Sequence, residues 1–485
     1  MEELLNYVDG KWQRSQSQRQ NPNINPARTK QILNSYQLST PQDVLAAIEA
    51  AHRAFEEWRR VPAPKRGEIV ARATDNMRAI REDYARVLTQ EEGKIYSEAL
   101  AEMDRSIANM HFSAGQGLRL GGKTIPSNFP EVLIYTQRDP LGVVGIITPW
   151  NFPVSIPAWK IAPALVSGNT VVFKPASLTP WTAHLLVECY EKAGLPPGVL
   201  NMVTGSGSEV GNILADDERV KAISFTGSNE VGQKLYARAA QRMCRVQLEL
   251  GGKNPVIVLE DADLEQAADA VALGAFGSTG QRCTCTSRVI VMEQIADAFT
   301  EAIVERARKV RTGYGLEEGI TMGPVVDENQ FKTVQAGVEL GLKEGARLLV
   351  DGRQLSRPEL KEGYFIEPSI FSEVNPGMRL HQEEIFGPVL AMVKVRTFEE
   401  AISAANAVKY GLSSSLYTRD LGRALDYTRQ SEVGMLHVNL PTLGGEAQVP
   451  FGGSKASGLG ARECGEAAFD FFTEERVVYM GKPGH

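Results

Sequence analysis

The sequence predicts an α/β protein built from two α/β units and a β-ribbon arm. Three observations carry this. Residues 40–120 read as helices, with apolar residues recurring at helical spacing. From residue 143, short β-rich runs alternate with helical segments, the pattern of a parallel sheet with crossover helices. A second alternating set begins at residue 255. The length, 485 residues, fits two or three domains at roughly 150 residues each.

Each element has its own signal. Thr40-Pro41-Gln42-Asp43 starts a helix, with a hydroxyl cap and a proline in the first turn, and Val44, Ile48, Ala51 and Phe55 continue it. The first alternating set pairs strand with helix four times: 143–148 with 155–167, 170–174 with 180–193, 199–204 with 208–215, and 222–226 with 228–240. In the second set, strands at 255–258 and 288–292 flank a helix at 263–276. Helices at 294–309 and 328–344 follow, then strands at 347–350, 365–371 and 389–395 and a helix at 397–407. Residues 132–137 read as an exposed β-ribbon, and 476–480 as a strand reaching away from the body. No repeat or low-complexity tract is visible.

Composition excludes several classes of function. Hydrophobic residues are 43% and charged residues 23%, so the chain collapses into cores and is not disordered. Fifty-two basic against 59 acidic residues give a net charge of −7, with no basic block, which argues against a nucleic-acid binder. Residues 143–166 are apolar, but Pro149, Pro153, Pro157 and Pro163 break any membrane span there. The start, Met1-Glu2-Glu3-Leu4, lacks a signal peptide's basic region and apolar stretch. Five cysteines, an odd number, make no disulfide framework, and the expectation is a reduced cytoplasmic protein.

Four segments carry chemistry. Gly205-Ser206-Gly207-Ser208-Glu209-Val210-Gly211 follows a strand and opens a helix, the setting of a dinucleotide-binding turn, though one residue longer than the usual spacing. Phe225-Thr226-Gly227-Ser228 repeats that setting, and Ser228 offers a hydroxyl and free N–H groups to a phosphate or serves as an N-cap. Glu249 precedes Leu250-Gly251-Gly252-Lys253, where glycines permit close backbone approach beside a carboxylate. Cys283 lies in the Gly-rich polar loop 277–285, accessible and among backbone N–H groups, which suits a nucleophile. Cys283-x-Cys285 has no partner pair at metal spacing, so no metal site is expected. The six histidines form no motif, and a Cys–His pair remains compatible with the spacing.

Segments 225–228 and 249–253, together with 148–153 (TPWNFP), 174–176 (KPA), 280–283 (GQRC), 383–388 (EEIFGP) and 450–453 (PFGG), resemble the aldehyde dehydrogenase superfamily, and the match covers nearly the whole chain. The resemblance implies oxidation of an aldehyde to an acid with NAD or NADP. It implies Cys283 as nucleophile, Asn151 and the Cys283 N–H as oxyanion hole, and Glu249 as general base. Lys160 and Glu463 match a proton relay, or equally a structural ion pair. For the cofactor it implies Lys174 at the adenosine ribose, Gly207 near the adenine, Trp150 and Ser228 at the pyrophosphate, and Glu384 at the nicotinamide ribose with Phe386 beside the ring. Ile147, Thr148, Pro149, Phe225, Thr226, Gly227 and Leu250 belong to the same cleft. NAD-preferring members commonly carry Glu where Ser177 stands, so NADP is expected to be accepted.

The retained Glu249 disfavours the family's CoA-acylating chemistry. A binding protein on an old enzyme scaffold is disfavoured by the joint presence of Cys283, Glu249 and Asn151. Arg282 beside the nucleophile suggests a carboxylate-bearing substrate, first 2,5-dioxopentanoate, then succinate semialdehyde, with general aldehydes as a further alternative. Phe152, Trp159, Arg282 and Phe451 match the substrate tunnel. Cys283 and Cys285 raise a further hypothesis, a reversible disulfide that silences the nucleophile.

The expected organisation is a Rossmann-like cofactor domain (1–121 and 141–251), a catalytic α/β domain (252–455) and an oligomerisation arm (122–140 with 466–485). A ribbon with open edges calls for a homodimer or homotetramer.

Overall fold

The helices over residues 40–120 number four in the computed structural model, which describes residues 2–482: α1 (Pro41–Trp58), α2 (Ala63–Ala79), α3 (Arg81–Glu92) and α4 (Tyr96–Gln116). Residues 483–485, the end of the expected arm, lie outside the described residues. At the start of α1, the Thr40 hydroxyl accepts from the Asp43 amide while the Asp43 carboxylate accepts from the Thr40 amide. This reciprocal cap satisfies two otherwise free donors. Gly93, at φ 103°, ends α3 in the left-handed region, which glycine enters without steric cost.

The first alternating set forms the centre of an eight-stranded sheet. Its parallel strands lie in the order Arg245–Glu249, Val220–Thr226, Val143–Ile147, Thr170–Lys174, Leu200–Met202. Chain order therefore reverses between Val143–Ile147 and Val220–Thr226, which opens a crevice at the carboxyl ends of those two strands. Both faces are covered. Val144, Ile146, Val171 and Phe173 pack into one core, while Val143, Ile147, Val172 and Ile223 pack into another. The alternation follows from successive side chains pointing to opposite faces. Helix α5 (Ser155–Ser167) is buried along its whole length and packs against α4.

The second set forms a seven-stranded sheet whose parallel core holds Ser369–Ser372, Val389–Val395, Thr286–Met292, Asn254–Val258 and Ser413–Tyr417. Two expectations need correction. The strand at 365–371 is shorter, Ser369–Ser372. Pro368 lacks a backbone donor, and Tyr364 instead bonds the Pro26 carbonyl outside the sheet. The strands in residues 2–39 and the elements Ser413–Tyr417, Leu421–Gln430 and Met435–Val438 were not foreseen. Val132–Pro140 pairs antiparallel with Thr473–Gly481 along its full length, so the two ribbon segments do meet.

Candidate active site

The site lies where the crevice of the first sheet faces the second. Leu264–Phe276 is followed by Ser278, Thr279 and Gly280, all at positive φ (47°, 56° and 67°). Ser278 and Thr279, two non-glycine residues in succession there, are costly and persist only when the surroundings hold them. Glu98 of α4 supplies part of that hold: its carboxylate accepts from the Ser278 amide at 2.7 Å and the Arg282 guanidinium at 3.0 Å. The turn delivers Cys283 to a cavity of about 240 Å³ lined also by Asn151, Glu249, Glu384 and Phe386.

Within that cavity, Asn151 is buried and its side-chain Nδ2 donates one hydrogen to the Gln281 carbonyl at 3.0 Å, which leaves its second for another acceptor. Burial, with the charges of Glu384 and Glu249, pushes the Cys283 thiol up to about 12, so it rests protonated and needs a base. Glu249 ends its strand beside the thiol. Burial and then repulsion from Glu463 hold its carboxyl well above the usual range, and one carboxylate oxygen has no hydrogen-bond partner. Lys160 and Glu463 form a buried ion pair, with Lys160 also donating to the Ser224 hydroxyl at 2.7 Å and the Trp159 indole to Glu463 at 2.7 Å.

Glu384 accepts from the Gly252 amide at 2.9 Å, and burial raises it to about 7. A Cβ at Gly251 would stand 2.0 Å from its carboxylate, which is why glycine occupies that turn. Phe386, at φ 60°, packs edge-on against Trp150 with ring centroids 5.4 Å apart. Pro149, Trp150, Thr226, Gly227, Ser228 and Leu250 complete the cavity wall.

A cleft of about 610 Å³ continues along the sheet's carboxyl edge past Ile147, Thr148, Lys174, Ser177, Gly207 and Phe225. Ser206 and Ser228 cap the two helices that open there, so their first amides line the entrance. Lys174 is almost wholly buried, pushed down to about 8, and its ammonium has no partner among the described residues. An unpaired buried cation in a cleft edged by helix N-termini fits a dinucleotide phosphate and ribose.

On the far side of Cys283, Phe152, Trp159 and Phe451 share one apolar cluster with it. Arg282 is not in this cavity's wall, though its guanidinium lies 5.8 Å from the Phe152 ring. Its guanidinium is engaged by Glu98 and by the Ser278 hydroxyl at 2.9 Å, so it braces the cysteine turn. Cys285 is buried with its thiol directed at the Ala275 carbonyl, and Cys464 is the thiol that shares the Cys283 cluster. No metal-binding group of side chains occurs among the described residues, and no helix there is long and apolar enough to cross a membrane.

Residues 12–478 match the aldehyde dehydrogenase family. The chain belongs to that family. It is 46% identical over 476 residues to an alpha-ketoglutaric semialdehyde dehydrogenase of Bacillus subtilis, covering 98% of each chain. It is 45% identical over 461 residues to a 2,5-dioxopentanoate dehydrogenase of Saccharolobus solfataricus, covering 94% of this chain and 95% of that one. A Staphylococcus aureus betaine aldehyde dehydrogenase, solved with NAD+, aligns with a TM-score of 0.96 at 35% identity, covering 99% of this chain and 95% of that one. The chain is thus an NAD(P)-dependent aldehyde dehydrogenase with the fold of its family.

Within this aldehyde dehydrogenase, sequence reasoning missed the residues that build the pocket from behind. Glu98, Glu102 and Arg105 share one face of α4, at i, i+4 and i+7. Gln330 also lines the cavity, and its amide donates to the carbonyls of Ile385 and Phe386 at 3.0 and 2.8 Å. The α4 spacing is visible in the sequence, but such spacing on a charged helix usually marks a solvated face.

Proposed function

We propose that this enzyme oxidises a carboxylate-bearing semialdehyde, 2,5-dioxopentanoate, to the dicarboxylic acid, accepting NADP as well as NAD. It works in the cytoplasm as a homodimer or homotetramer. The observation that carries the substrate reading is Arg105. Its guanidinium lies 4.9 Å from the Trp159 ring and 5.9 Å from the Phe451 ring, and its Nε is buried without a hydrogen-bond partner. No ion pair reaches it among the described residues. Arg105 is half-buried, and a guanidinium with its Nε buried and unpaired matches a carboxylate. The names of the relatives from Bacillus subtilis and Saccharolobus solfataricus support the same substrate.

In this reading Glu249 takes the thiol proton, and the Cys283 sulfur adds to the aldehyde carbon. The oxyanion of the resulting thiohemiacetal meets the free Asn151 hydrogen and the Cys283 amide. Loss of one such donor typically costs ~10²–10³ in rate. Lys174, Ser228 and Glu384 would hold the dinucleotide, which would supply the hydride acceptor for that carbon. Lys160 and Glu463 carry the thiol proton onward from Glu249, which is then able to take a proton from the water that attacks the thioester. Glu249 returns that proton to the leaving Cys283 sulfur, freeing the acid and the thiol. Glu384 orients the ribose, and Phe386 and Trp150 bound the space beside it.

The NADP reading rests on Lys174 and Ser177. The Ser177 hydroxyl donates to the Gly205 carbonyl at 2.8 Å and brings no negative charge to the cleft. The Lys174 ammonium is then free to pair with a 2′-phosphate. Ser177→Glu is expected to lower kcat/KM for NADP by ~10-fold or more, through repulsion of that phosphate, with NAD use retained. Intact NADP use in the variant would overturn this explanation. For the activity itself, an aldehyde panel is followed by reduced-nicotinamide absorbance with and without CoA. Free acid formed without CoA is the expected product. Strict dependence on CoA would contradict the role given to Glu249.

A further inference from the structure

The segment that carries Asn151 is neither helix nor strand, yet an oxyanion donor must be held to within a fraction of an ångström. Two buried charges behind it do the holding. Lys94, at the turn between α3 and α4, is 1% exposed, and Glu102 of α4 is 2% exposed. Their ion pair measures 2.5 Å. The Lys94 ammonium also donates to the Asn151 carbonyl at 2.7 Å and lies 4.1 Å over the Phe152 ring. Glu102 grips the other end of the same segment: its second oxygen accepts from the amides of Val154 and Ser155 at 3.0 and 3.1 Å. Those are the first free amides of α5, which has no side-chain cap of its own. A carboxylate is favoured there by the helix dipole. Glu92 stands 4.0 Å from the Lys94 ammonium and accepts from the Lys94 amide at 2.9 Å.

One ion pair therefore staples residues 151–155 at both ends. Buried ion pairs contribute little net stability compared with apolar replacements, because desolvating two charges offsets their attraction. Their product here is geometry. We propose that Lys94 is a positioning residue of the oxyanion hole: through the Asn151 carbonyl it fixes where the Asn151 amide points, and Glu102 fixes Lys94. The inference rests on the reading of Asn151 as the oxyanion donor.

The test is a double-mutant cycle on the full-length enzyme, using the single-turnover rate of NAD reduction with a saturating aldehyde. Asn151→Ala first tests the underlying reading and should slow the step ~10²–10³-fold. Lys94→Met should slow it ~10–10²-fold in the native background, the scale of an ångström-level misplacement. In the Asn151→Ala background the same change should cost less than about threefold, because the donor it orients is gone. The Kd for NAD should stay within about twofold, since the cofactor cleft does not touch Lys94. If Lys94→Met leaves Glu102 unpaired and fails to fold, Lys94→Met with Glu102→Gln removes both charges and enters the same cycle. Equal slowing in both backgrounds, no slowing in the native one, or a matching loss of NAD affinity would each overturn the proposal. Full activity of Asn151→Ala would instead remove the oxyanion reading beneath it.

Discussion

Cys283 and Glu249 share an awkward chemistry at rest, since the thiol is held up to about 12 and the carboxyl is raised as well. A base works only in its deprotonated form, so a raised carboxyl moves its useful range toward alkaline pH. Turnover is therefore expected to go on rising with pH above the range in which an ordinary carboxylate is already fully ionised. Glu249→Gln should slow the pre-steady-state formation of reduced cofactor, and lower steady-state turnover by ~10²–10⁴-fold. A variant that keeps turning over, measured by rapid mixing, would remove Glu249 from thioester hydrolysis. At this scale the sequence was informative wherever a motif spans adjacent residues. Arg105 and Lys94 were invisible, because their meaning depends on what α4 and the 94–95 turn face in space. Arg282 neighbours Cys283 in the chain, and its guanidinium is held by Glu98 and lies over the Phe152 ring.

Elements were legible where burial is apolar and periodic. The strand Thr170–Lys174 is uniformly buried and β-branched at three of its five positions, and it was read to the residue. Ser413–Tyr417 is just as buried but opens with three serines, and so gives no apolar signal. Their hydroxyls are satisfied by the carbonyls of Thr442 and Leu440 and by the Tyr427 hydroxyl. Arg288, two strands away in the same sheet, is fully buried and bonds the carbonyls of Lys253, Ala404 and Ala405. It also meets the His381 Nε2 at 2.8 Å. Burial, then the charges of Arg288 and Lys253, push His381 down to about 3 from 6.5. The folded state thus keeps this imidazole neutral, and its contribution is intact above pH 6.5 and lost as pH falls toward 3. The decline of Tm between pH 7 and 5 should be shallower in His381→Gln than in the native enzyme. Identical slopes would mean that His381 does not contribute to acid sensitivity.

For the whole molecule, two parallel sheets meet at one cavity while the ribbon leaves the body with apolar side chains in water. Val477, Tyr479, Met480 and Leu133 are all exposed there. Their exposure supports the proposed homo-oligomer, in which a second copy covers them. Val477→Lys with Tyr479→Lys should lower the mass measured by light scattering to that of one chain; an unchanged oligomer would place the interface elsewhere.

On the proposed function, Arg105 holds the far carboxylate of the aldehyde. This is measured by kcat/KM for 2,5-dioxopentanoate against pentanal, in the native enzyme and in Arg105→Gln. A charged hydrogen-bonded pair worth ~1.5–3 kcal/mol predicts a native preference of ~10–10²-fold or more. In Arg105→Gln that preference should fall to within about threefold, with pentanal oxidation little changed. Equal use of both aldehydes by the native enzyme, or an undiminished preference in the variant, would contradict the account.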